Sequence, residues 1–333
     1  MKKNFFILFL INFDSNMFKI KYSKILVLGS GPSGLTSSLY IIRSNINLII
    51  VTGNNIGGQL NNTNIVENWP SIKSIKGSEL MKNFYLQILY FNAEVYNDEI
   101  NYLNLLNKPL MSVGFLNFYY FNFLIISTGC KYKIFNYKNQ FKYIGKNISS
   151  CAVCDSNFYK NKNILIIGNG DSCFENIFYL IKIIKNILLI CRNKIFKTNY
   201  NIIKKIFLIM NDKIKFKMNS FLLEFVGDDY LLFYVKIKNF FNFNLNIYFL
   251  EGLFLFIGNI PNSNKFFGQL KINKNFILNK KKFLYNYTLT SINQIFSIGD
   301  VQDFLYKQAV TSSASGCFSY FDLINSYKKY FNV

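Results

Sequence analysis

The amino-acid sequence predicts an α/β protein with two Rossmann-like nucleotide-binding domains, each a three-layer arrangement of helices and sheet. Two glycine-rich segments, residues 29–34 and 168–173, each follow a short apolar run and precede a helical pattern. That order of strand, glycine-rich turn and helix is typical of a dinucleotide-binding unit. Cys151 and Cys154 lie between the two segments in the chain, and the length of 333 residues accommodates about two domains of ordinary size.

The first unit begins with the apolar run 25–28, which predicts a buried parallel strand, and continues as a helix over 35–43 and a strand over 48–51. The first two glycines of the turn permit a close approach to a pyrophosphate, and the third lets the helix pack on the strand. The N-terminus of the helix binds the phosphates. The acidic residue expected after the second strand is missing, so asparagine or backbone groups of the loop 52–59 would serve the adenosine ribose.

The second unit repeats this order, with strands predicted over 164–167 and 187–190 and a helix over about 174–184 between them. The residues after its second strand are basic or neutral: Cys191, Arg192, Asn193, Lys194 and, further on, Lys197. An acidic residue there would bind a ribose 2′-hydroxyl, whereas positive charge suits a 2′-phosphate. The second unit therefore favours NADPH over NADH.

Further strands and helices are predicted outside these two units. They are a helix within 65–87, a buried strand from 121 that ends in the turn of Thr128 and Gly129, antiparallel strands from 206 to 250, a strand over 253–257, a strand over 294–298 that leads to Asp300, and a helix from about 309 to 326.

The absence of histidine narrows the chemistry. It excludes Ser-His-Asp and Cys-His nucleophile systems and every zinc module built from cysteine and histidine. Six dispersed cysteines are too few for a disulfide scaffold, and the C-x-x-C pair indicates either redox chemistry or half of a metal site. Because a structural zinc normally needs four Cys or His ligands, we expect no metal.

The net charge of +21 raises the question of a nucleic-acid partner. The lysines are scattered, and all residue types with AT-rich codons are over-used, so we expect no nucleic acid. The apolar run 5–11 is too short to cross a membrane, which takes about 20 residues, and it lacks a signal-peptide cleavage site. Met17 is a simpler start, which would make residues 1–16 an extension or an untranslated stretch. We expect a cytoplasmic protein that does not contact membranes.

Taken together, these residues resemble the low-molecular-weight thioredoxin reductases from about Lys24 to the end of the chain. The resemblance rests on an ordered set of motifs, at residues 29–34, 57–60, 66–70, 127–129, 151–155, 168–173, 258–262, 299–301 and 307–309. It implies a homodimer with FAD, one per subunit, on a discontinuous domain (17–133 and 261–333) and NADPH on an inserted domain (134–260) that carries the dithiol. It also implies hydride transfer from NADPH to FAD, reduction of a Cys151–Cys154 disulfide, and thiol–disulfide exchange with oxidised thioredoxin.

The same resemblance implies roles for single residues. Cys154 matches the cysteine against the flavin, Cys151 the one that attacks the partner disulfide, and Asp155 the acid that protonates the departing thiolate. A helix that begins near Cys154 would lower the pKa of the reactive thiol. The implied contacts of FAD are Gly29, Ser30, Gly31, Pro32, Ser33, Gly34, Thr52, Gly53, Gly57, Gly58, Gln59, Asn68, Thr128, Gly129, Gly299, Asp300, Val301, Lys307, Gln308 and Ala309. The implied contacts of NADPH are Gly168, Gly170, Asp171, Arg192 and Lys197.

Several departures from the family pattern leave alternatives open. Cys191 and Asn193 stand where His and Arg are usual, so NADH could also be accepted. Ser156 and Asn157 replace a Gly-Phe pair at a surface implicated in docking thioredoxin, and Lys307 replaces an arginine near the flavin. Asp155 by itself could be a helix cap. The alternatives are a related FAD dithiol oxidoreductase that uses another thiol partner or O₂, and a degenerate, non-catalytic flavoprotein.

Overall fold

A computed structural model describes residues 19–63, 65–133, 140–143, 146–198, 200–209, 212–280 and 287–331. The chain divides into two compact units. The first contains the chain up to Thr63, Ile75–Lys131 and the chain from Pro261, and the second contains Asn64–Ser74 and Tyr132–Ile260. The predicted extension 1–16 lies outside the described residues.

The described elements are numbered in chain order. The strands are β1 Lys19–Leu28, β2 Leu48–Val51, β3 Glu94–Tyr96, β4 Ile100–Asn104, β5 Leu110–Gly114, β6 Asn117–Ile126, β7 Cys130–Tyr132, β8 Ile148–Ser149, β9 Asn163–Gly168, β10 Asn186–Ile190, β11 Ile214–Lys217, β12 Ser220–Gly227, β13 Leu232–Asn239, β14 Leu245–Phe249, β15 Gly252–Phe256, β16 Asn259–Pro261, β17 Ile272–Asn273, β18 Phe276–Ile277 and β19 Ile295–Ser297. The α-helices are α1 Pro32–Ile42, α2 Gly77–Tyr90, α3 Gln140–Tyr143, α4 Ala152–Asp155, α5 Asp171–Leu180, α6 Tyr200–Ile209 and α7 Ala309–Phe331. Short 3₁₀ turns are Gly58–Asn62, Ser156–Tyr159, Asn264–Phe266 and Gly299–Val301.

The first unit has a sheet in the order β3-β2-β1-β6-β5-β4. Strands β1, β2, β3 and β6 run parallel, and β19 extends the parallel part by pairing with the second half of β6. The run Ile25–Leu28 is at most 3% exposed because the sheet is covered on both faces, as in other parallel sheets. Helices α1, α2 and α7 cover one face, where Leu35, Met81 and Leu323 join the core.

The second unit has a five-stranded parallel sheet in the order β11-β10-β9-β15-β8. Helices α5 and α6 pack on one face through Phe174, Ile177 and Ile206. The antiparallel sheet β12-β13-β14 packs on the other face, with Phe225 and Val235 in that core. The α/β prediction with Rossmann-like, three-layer units is confirmed, with helices on one side of the central sheet and strands on the other in this unit.

The prediction of antiparallel strands from 206 to 250 is wrong at its start. Tyr200–Ile209 is a helix, and Ile214–Lys217 is a parallel edge strand beside β10. Ile202 and Ile206 lie four residues apart on the face that packs into the core, which is helical spacing. The high content of aromatic and aliphatic residues hid this period because outward positions such as Phe207 and Leu208 are apolar too. The antiparallel pattern holds from Ser220 to Phe249.

The helix α7 lies very close to α1 at one point. A Cβ atom on Gly316 would be 2.4 Å from the backbone oxygen of Ser33 and 3.0 Å from the backbone nitrogen of Ser37. In the same interface, the hydroxyls of Ser37 and Ser319 are hydrogen-bonded at 2.8 Å. Small residues therefore set the distance between these helices. Among the described residues, no helix is long and apolar enough to cross a membrane.

We predict that Gly316→Ala destabilises the protein by about 2 kcal/mol, because α1 must shift to accept the methyl group. This is the net change, and it includes an opposing gain in intrinsic helix propensity, since alanine is better than glycine in a helix by about 1 kcal/mol. Asn325→Ala, at an exposed position of the same helix, is the control and should stabilise by roughly 0.5 kcal/mol. Urea unfolding measures both changes. A Gly316→Ala protein as stable as the control would show that the helices are not in tight contact.

Candidate active site

The first glycine-rich turn joins β1 to α1 with almost no space between backbone segments. Gly29 has φ of +112°, and a Cβ atom there would lie 2.3 Å from the carbonyl oxygen of Ser127. A Cβ atom on Gly34 would lie 2.2 Å from the carbonyl oxygen of Gly29. The strand, the turn and the helix can therefore approach this closely only because both residues are glycine.

Gly31 differs from Gly29 and Gly34 because its Cβ side faces open space. It is the N-cap of the eleven-residue helix α1, and no atom lies within 4 Å of the position that its Cβ would occupy. Pro32 occupies the first helical position, where its missing N–H costs nothing. Free backbone N–H groups at the start of a helix, next to open space, fit a pyrophosphate. The residues of this turn thus fit the dinucleotide that the sequence predicts.

The loop 52–59 is tied to this turn by a buried serine. Ser30 Oγ accepts a hydrogen bond from the backbone N–H of Gly57 at 3.1 Å and donates one to the carbonyl oxygen of Thr52 at 3.3 Å. Gly58 lies so close that its Cβ would be 3.4 Å from the Cα of Gly31. Gly53 has φ of +72°, and no atom lies within 4 Å of the position that its Cβ would occupy.

The segment around Asp300 approaches the same turn. Gly299 has φ of +67°, and its Cβ would be 2.5 Å from the hydroxyl of Ser33. Asp300 Oδ1 accepts a hydrogen bond from Ser312 Oγ at 3.1 Å. Burial raises the pKa of the Asp300 carboxyl group, although the bond from Ser312 partly opposes this. The next residue, Val301, is fully buried. A carboxylate held in this way can accept hydrogen bonds from ligand hydroxyls.

The remaining predicted residues of the first unit are held by local hydrogen bonds. Thr128 Oγ1 donates to the carbonyl oxygen of Asn262 at 2.9 Å, and Asn262 Nδ2 donates back to the carbonyl oxygen of Thr128 at 2.8 Å. Gln59 Nε2 donates to the carbonyl oxygen of Cys130. Gly129 has φ of +63° and open space on its Cβ side.

The segment before α7 holds the last three predicted residues. The backbone N–H of Lys307 donates to Asp303 Oδ2 at 2.9 Å, and that of Gln308 donates to Thr311 Oγ1 at 3.2 Å. Ala309 is the first residue of α7.

The second glycine-rich turn has the same plan as the first. A Cβ atom on Gly168 would lie 2.6 Å from Cys173 Sγ, whereas Gly170, the N-cap of the ten-residue helix α5, faces open space. The backbone of Lys197 forms an isolated parallel β-bridge with Gly170, and the backbone N–H of Lys197 donates to the carbonyl oxygen of Asn169 at 2.9 Å. Lys197 and Arg192 are exposed, and the side chain of Asp171 lies outside the described set. This turn therefore also fits a pyrophosphate, with Lys197 beside it.

Cys191 is not a substitute ligand on this surface. It is fully buried, and its Sγ donates to the carbonyl oxygen of Gly168 at 3.3 Å. Burial raises the pKa of the thiol to about 12, so that it stays protonated. Cys173 is also fully buried, and burial raises its thiol pKa as well. Both cysteines therefore pack against Gly168 on the buried side of the turn.

Cys151 and Cys154 form a disulfide with their Cα atoms 5.3 Å apart. Cys151 caps the four-residue helix α4, and its Sγ accepts a hydrogen bond from the backbone N–H of Cys154 at 3.2 Å. The predicted helix near Cys154 is present and begins at Ala152, whereas its effect on the thiol pKa stays a prediction. One turn has too few aligned peptide groups for a large dipole effect. The hydrogen bond from the backbone N–H of Cys154 is the contact that directly stabilises the sulfur of Cys151.

Asp155 lies at the end of the same short helix. Its Oδ2 accepts a hydrogen bond from Ser149 Oγ at 2.6 Å. Burial raises the pKa of the carboxyl group, and the bond from Ser149 opposes that rise. Asp155 therefore keeps its proton to a higher pH than an exposed aspartate. The pKa of Tyr159 is raised to about 12, by burial first and by the charge of Asp155 second.

The structure describes two further residues of the predicted sites near the dithiol, Asn68 and Ser156. Asn68, predicted as a cofactor contact, lies with its Nδ2 3.8 Å from Cys154 Sγ in the second unit. Ser156 is 1% exposed, so it lies beneath the surface and cannot touch a partner directly. Val153, Asn157 and Phe158 are exposed beside the disulfide. Among the described residues, no group of three or more Cys, Asp or Glu side chains could hold a metal ion.

Residues 23–316 match the family described as pyridine nucleotide-disulphide oxidoreductase. The chain belongs to this family. It is 39% identical to a thioredoxin reductase of Buchnera aphidicola (subsp. Schizaphis graminum), over 90% of this chain and 96% of that protein. A solved thioredoxin reductase of Streptococcus pyogenes superposes with a TM-score of 0.85 at 27% identity, over 92% of this chain and 99% of that one.

Family membership alone does not decide the activity. A protein of Pseudomonas fluorescens named glucosaminate ammonia-lyase is 32% identical over 92% of this chain and 96% of its own length. The disulfide and its neighbours therefore distinguish between the activities that occur among such relatives. Sequence reasoning missed three residues of the sites, Ser127, Ser149 and Asn262, although the first and last lie within motifs that it singled out.

We predict that two alanine substitutions in the first turn affect different properties, FAD binding in one case and stability in the other. Gly31→Ala should leave the unfolding of the cofactor-free protein unchanged, since its φ of −70° suits alanine and no protein atom is near, but it should lower the FAD bound per subunit. Gly34→Ala should cost about 3 kcal/mol of stability because its methyl group collides with the backbone. Thermal unfolding and flavin absorbance per protein measure both. Full FAD content in Gly31→Ala would exclude this turn as the pyrophosphate site.

Proposed function

We propose that this chain is an NADPH-dependent thioredoxin reductase that uses FAD. The observation that carries the proposal is the disulfide Cys151–Cys154, with Asp155 beside it, in a chain that has two separate dinucleotide turns. Two such turns suit two cofactors, and a disulfide on the chain suits a partner that is itself a disulfide. The relatives named thioredoxin reductase support the same conclusion.

FAD is assigned to the first turn and NADPH to the second. The open space beside Gly31 and beside Gly170 supports the binding of a pyrophosphate at each. The carboxyl group of Asp300 suits the ribityl hydroxyls of FAD, and exposed Arg192 and Lys197 suit a 2′-phosphate. When bound, the two cofactors supply hydride transfer and two-electron storage. The domains proposed from the sequence, 17–133 with 261–333 for FAD and 134–260 for NADPH, follow this assignment.

The reduced dithiol transfers two electrons to the partner. The thiolate of Cys151 attacks one sulfur of the partner disulfide, which forms a mixed disulfide and releases the other sulfur as a thiolate. Asp155 gives its proton to that thiolate. Cys154 then gives its proton to the carboxylate of Asp155 and attacks Cys151 Sγ as a thiolate, which restores the Cys151–Cys154 disulfide and releases the second partner sulfur as a thiolate. The exposed side chains of Val153 and Phe158 would face the partner.

Three further properties belong to this proposal. Thioredoxin is the proposed partner, the subunits form a homodimer, and the protein works in the cytoplasm. NADPH is preferred to NADH because the residues after β10 are basic or neutral, although the buried Cys191 adds no charge there.

We predict that Cys151→Ser lowers NADPH-dependent thioredoxin reduction by at least about a thousandfold, since the attacking sulfur is lost. The assay uses purified holoprotein and a bacterial thioredoxin coupled to insulin reduction. Cys317→Ser, which replaces a half-buried thiol in α7, is the control and should keep full activity. Full activity in Cys151→Ser would exclude the mechanism. Wild-type protein that reduces O₂ or another thiol protein but not thioredoxin would support a related oxidoreductase, and a colourless protein would support a non-catalytic scaffold.

We predict that Asp155→Asn lowers the rate on the order of a hundredfold, the range of a lost general acid. The acid acts only when protonated, so the wild-type rate should fall as the pH rises through the raised pKa of Asp155. The variant should lose that pH-dependent fall. Asp212→Asn is the charge-matched control, since Asp212 is exposed and its φ of 55° suits asparagine. A full rate and an unchanged pH profile in Asp155→Asn would leave Asp155 with only a structural role, as the hydrogen-bond partner of Ser149.

A further inference from the structure

Ser149 lies at the centre of a small hydrogen-bond network beneath the dithiol. Its Oγ is 2.6 Å from Asp155 Oδ2, 3.1 Å from the backbone nitrogen of Cys151 and 3.3 Å from the carbonyl oxygen of Cys151. A hydroxyl has one proton to donate and two lone pairs that accept. Ser149 therefore cannot donate to Asp155 and to the carbonyl of Cys151 at the same time.

The backbone of Ser149 is held in place by the parallel sheet. Ser149 is the last residue of β8, and it pairs with Phe254 of β15. Its side chain is 6% exposed, so water competes little for its hydrogen bonds. Tyr159, which follows Asp155 by one turn, packs edge-on against Phe254 with ring centroids 5.3 Å apart. The sheet thus fixes both ends of the segment that carries the dithiol.

We propose that Ser149 is a positioning residue for the dithiol reaction, whose hydroxyl holds Asp155 against the backbone of Cys151 and changes its donor direction when Asp155 gains or loses its proton. With Asp155 ionised, Ser149 donates to Oδ2 and accepts from the N–H of Cys151. With Asp155 protonated, the carboxyl O–H donates to Ser149 Oγ, and the proton of Ser149 turns to the carbonyl oxygen of Cys151. Every group keeps a partner in both states.

This arrangement makes the ionised state of Asp155 accessible in a partly buried position. Burial disfavours the carboxylate, and the bond from Ser149 favours it. Among the described side chains, the other titratable groups around Asp155 are Tyr159 on the following turn and, in the reduced protein, the thiols of Cys154 and of Cys151, which caps the helix. Helix α5 packs against α4, and its Glu175 is exposed to solvent. Ser149 is thus the neighbour that hydrogen-bonds the carboxyl group directly.

The inference rests on the proposed function, in which Asp155 gives its proton to the departing thiolate of the partner. On that transfer the thiolate becomes a thiol, Asp155 becomes a carboxylate, and Ser149 turns its O–H to the new charge. No electron or further reactant is involved. A hydroxyl already in contact with both groups lets the charge form without rearrangement of the backbone.

The test is an infrared titration of the oxidised protein, in which the thiols do not titrate. The carboxyl band that Asp155→Asn removes is followed against pH. Ser149→Ala should move its midpoint up by about one pH unit, because a hydrogen bond to the charged form is lost. Ser149→Thr keeps the hydroxyl and should return the midpoint to the wild-type value. Ser150→Ala is the matched control, since the Ser150 hydroxyl makes no hydrogen bond within the described part of the chain.

The same variants are then assayed for reduction of a bacterial thioredoxin across pH. In Ser149→Ala the fall in rate at high pH should move upward with the infrared midpoint, and in Ser150→Ala it should not move. An unshifted midpoint in Ser149→Ala, or equal midpoints in Ser149→Ala and Ser149→Thr, would overturn the inference. Inactive wild-type protein would overturn the proposed function, whereas active wild-type protein with an unshifted Ser149→Ala would overturn this inference alone.

Discussion

The close approach of backbone segments at two strand-to-helix turns is the constraint on which the other features depend. At Gly29, Gly34 and Gly168, a single methyl group would collide with backbone oxygen or with a buried side chain. At Gly31 and Gly170 there is open space instead. The tight positions bring each helix N-terminus to the end of its strand, and the open positions leave room for a phosphate-bearing ligand there.

Two buried cysteines pack against the second turn. Cys173 and Cys191 are both fully buried against Gly168, and burial keeps both thiols protonated. Cys191 therefore contributes to the packing beneath the turn and adds no charge near it. Under the proposed assignment of NADPH to this turn, a 2′-phosphate would be recognised by exposed Arg192 and Lys197, and the backbone of Lys197 pairs with Gly170 of the turn.

Much of the fold and the residue types of the sites could be predicted from the sequence, because glycine spacing and the C-x-x-C pair are local signals. The helix Tyr200–Ile209 was missed because outward aromatic and aliphatic residues masked its period. Ser149 was missed because its role depends on a contact with Asp155 across the bend that holds the dithiol. Asn68 and Cys154 are 86 positions apart in the chain, so no local pattern predicts that they lie side by side.

The proposed enzyme stores electrons both on a flavin and on the Cys151–Cys154 pair. An anaerobic titration of the purified holoprotein with NADPH, followed by the flavin absorbance, tests it most directly. Full reduction should take about two equivalents of NADPH, because the flavin and the disulfide each accept two electrons. Cys151→Ser should take about one. A wild-type protein that is fully reduced by one equivalent, or that shows no flavin absorbance to titrate, would contradict the account.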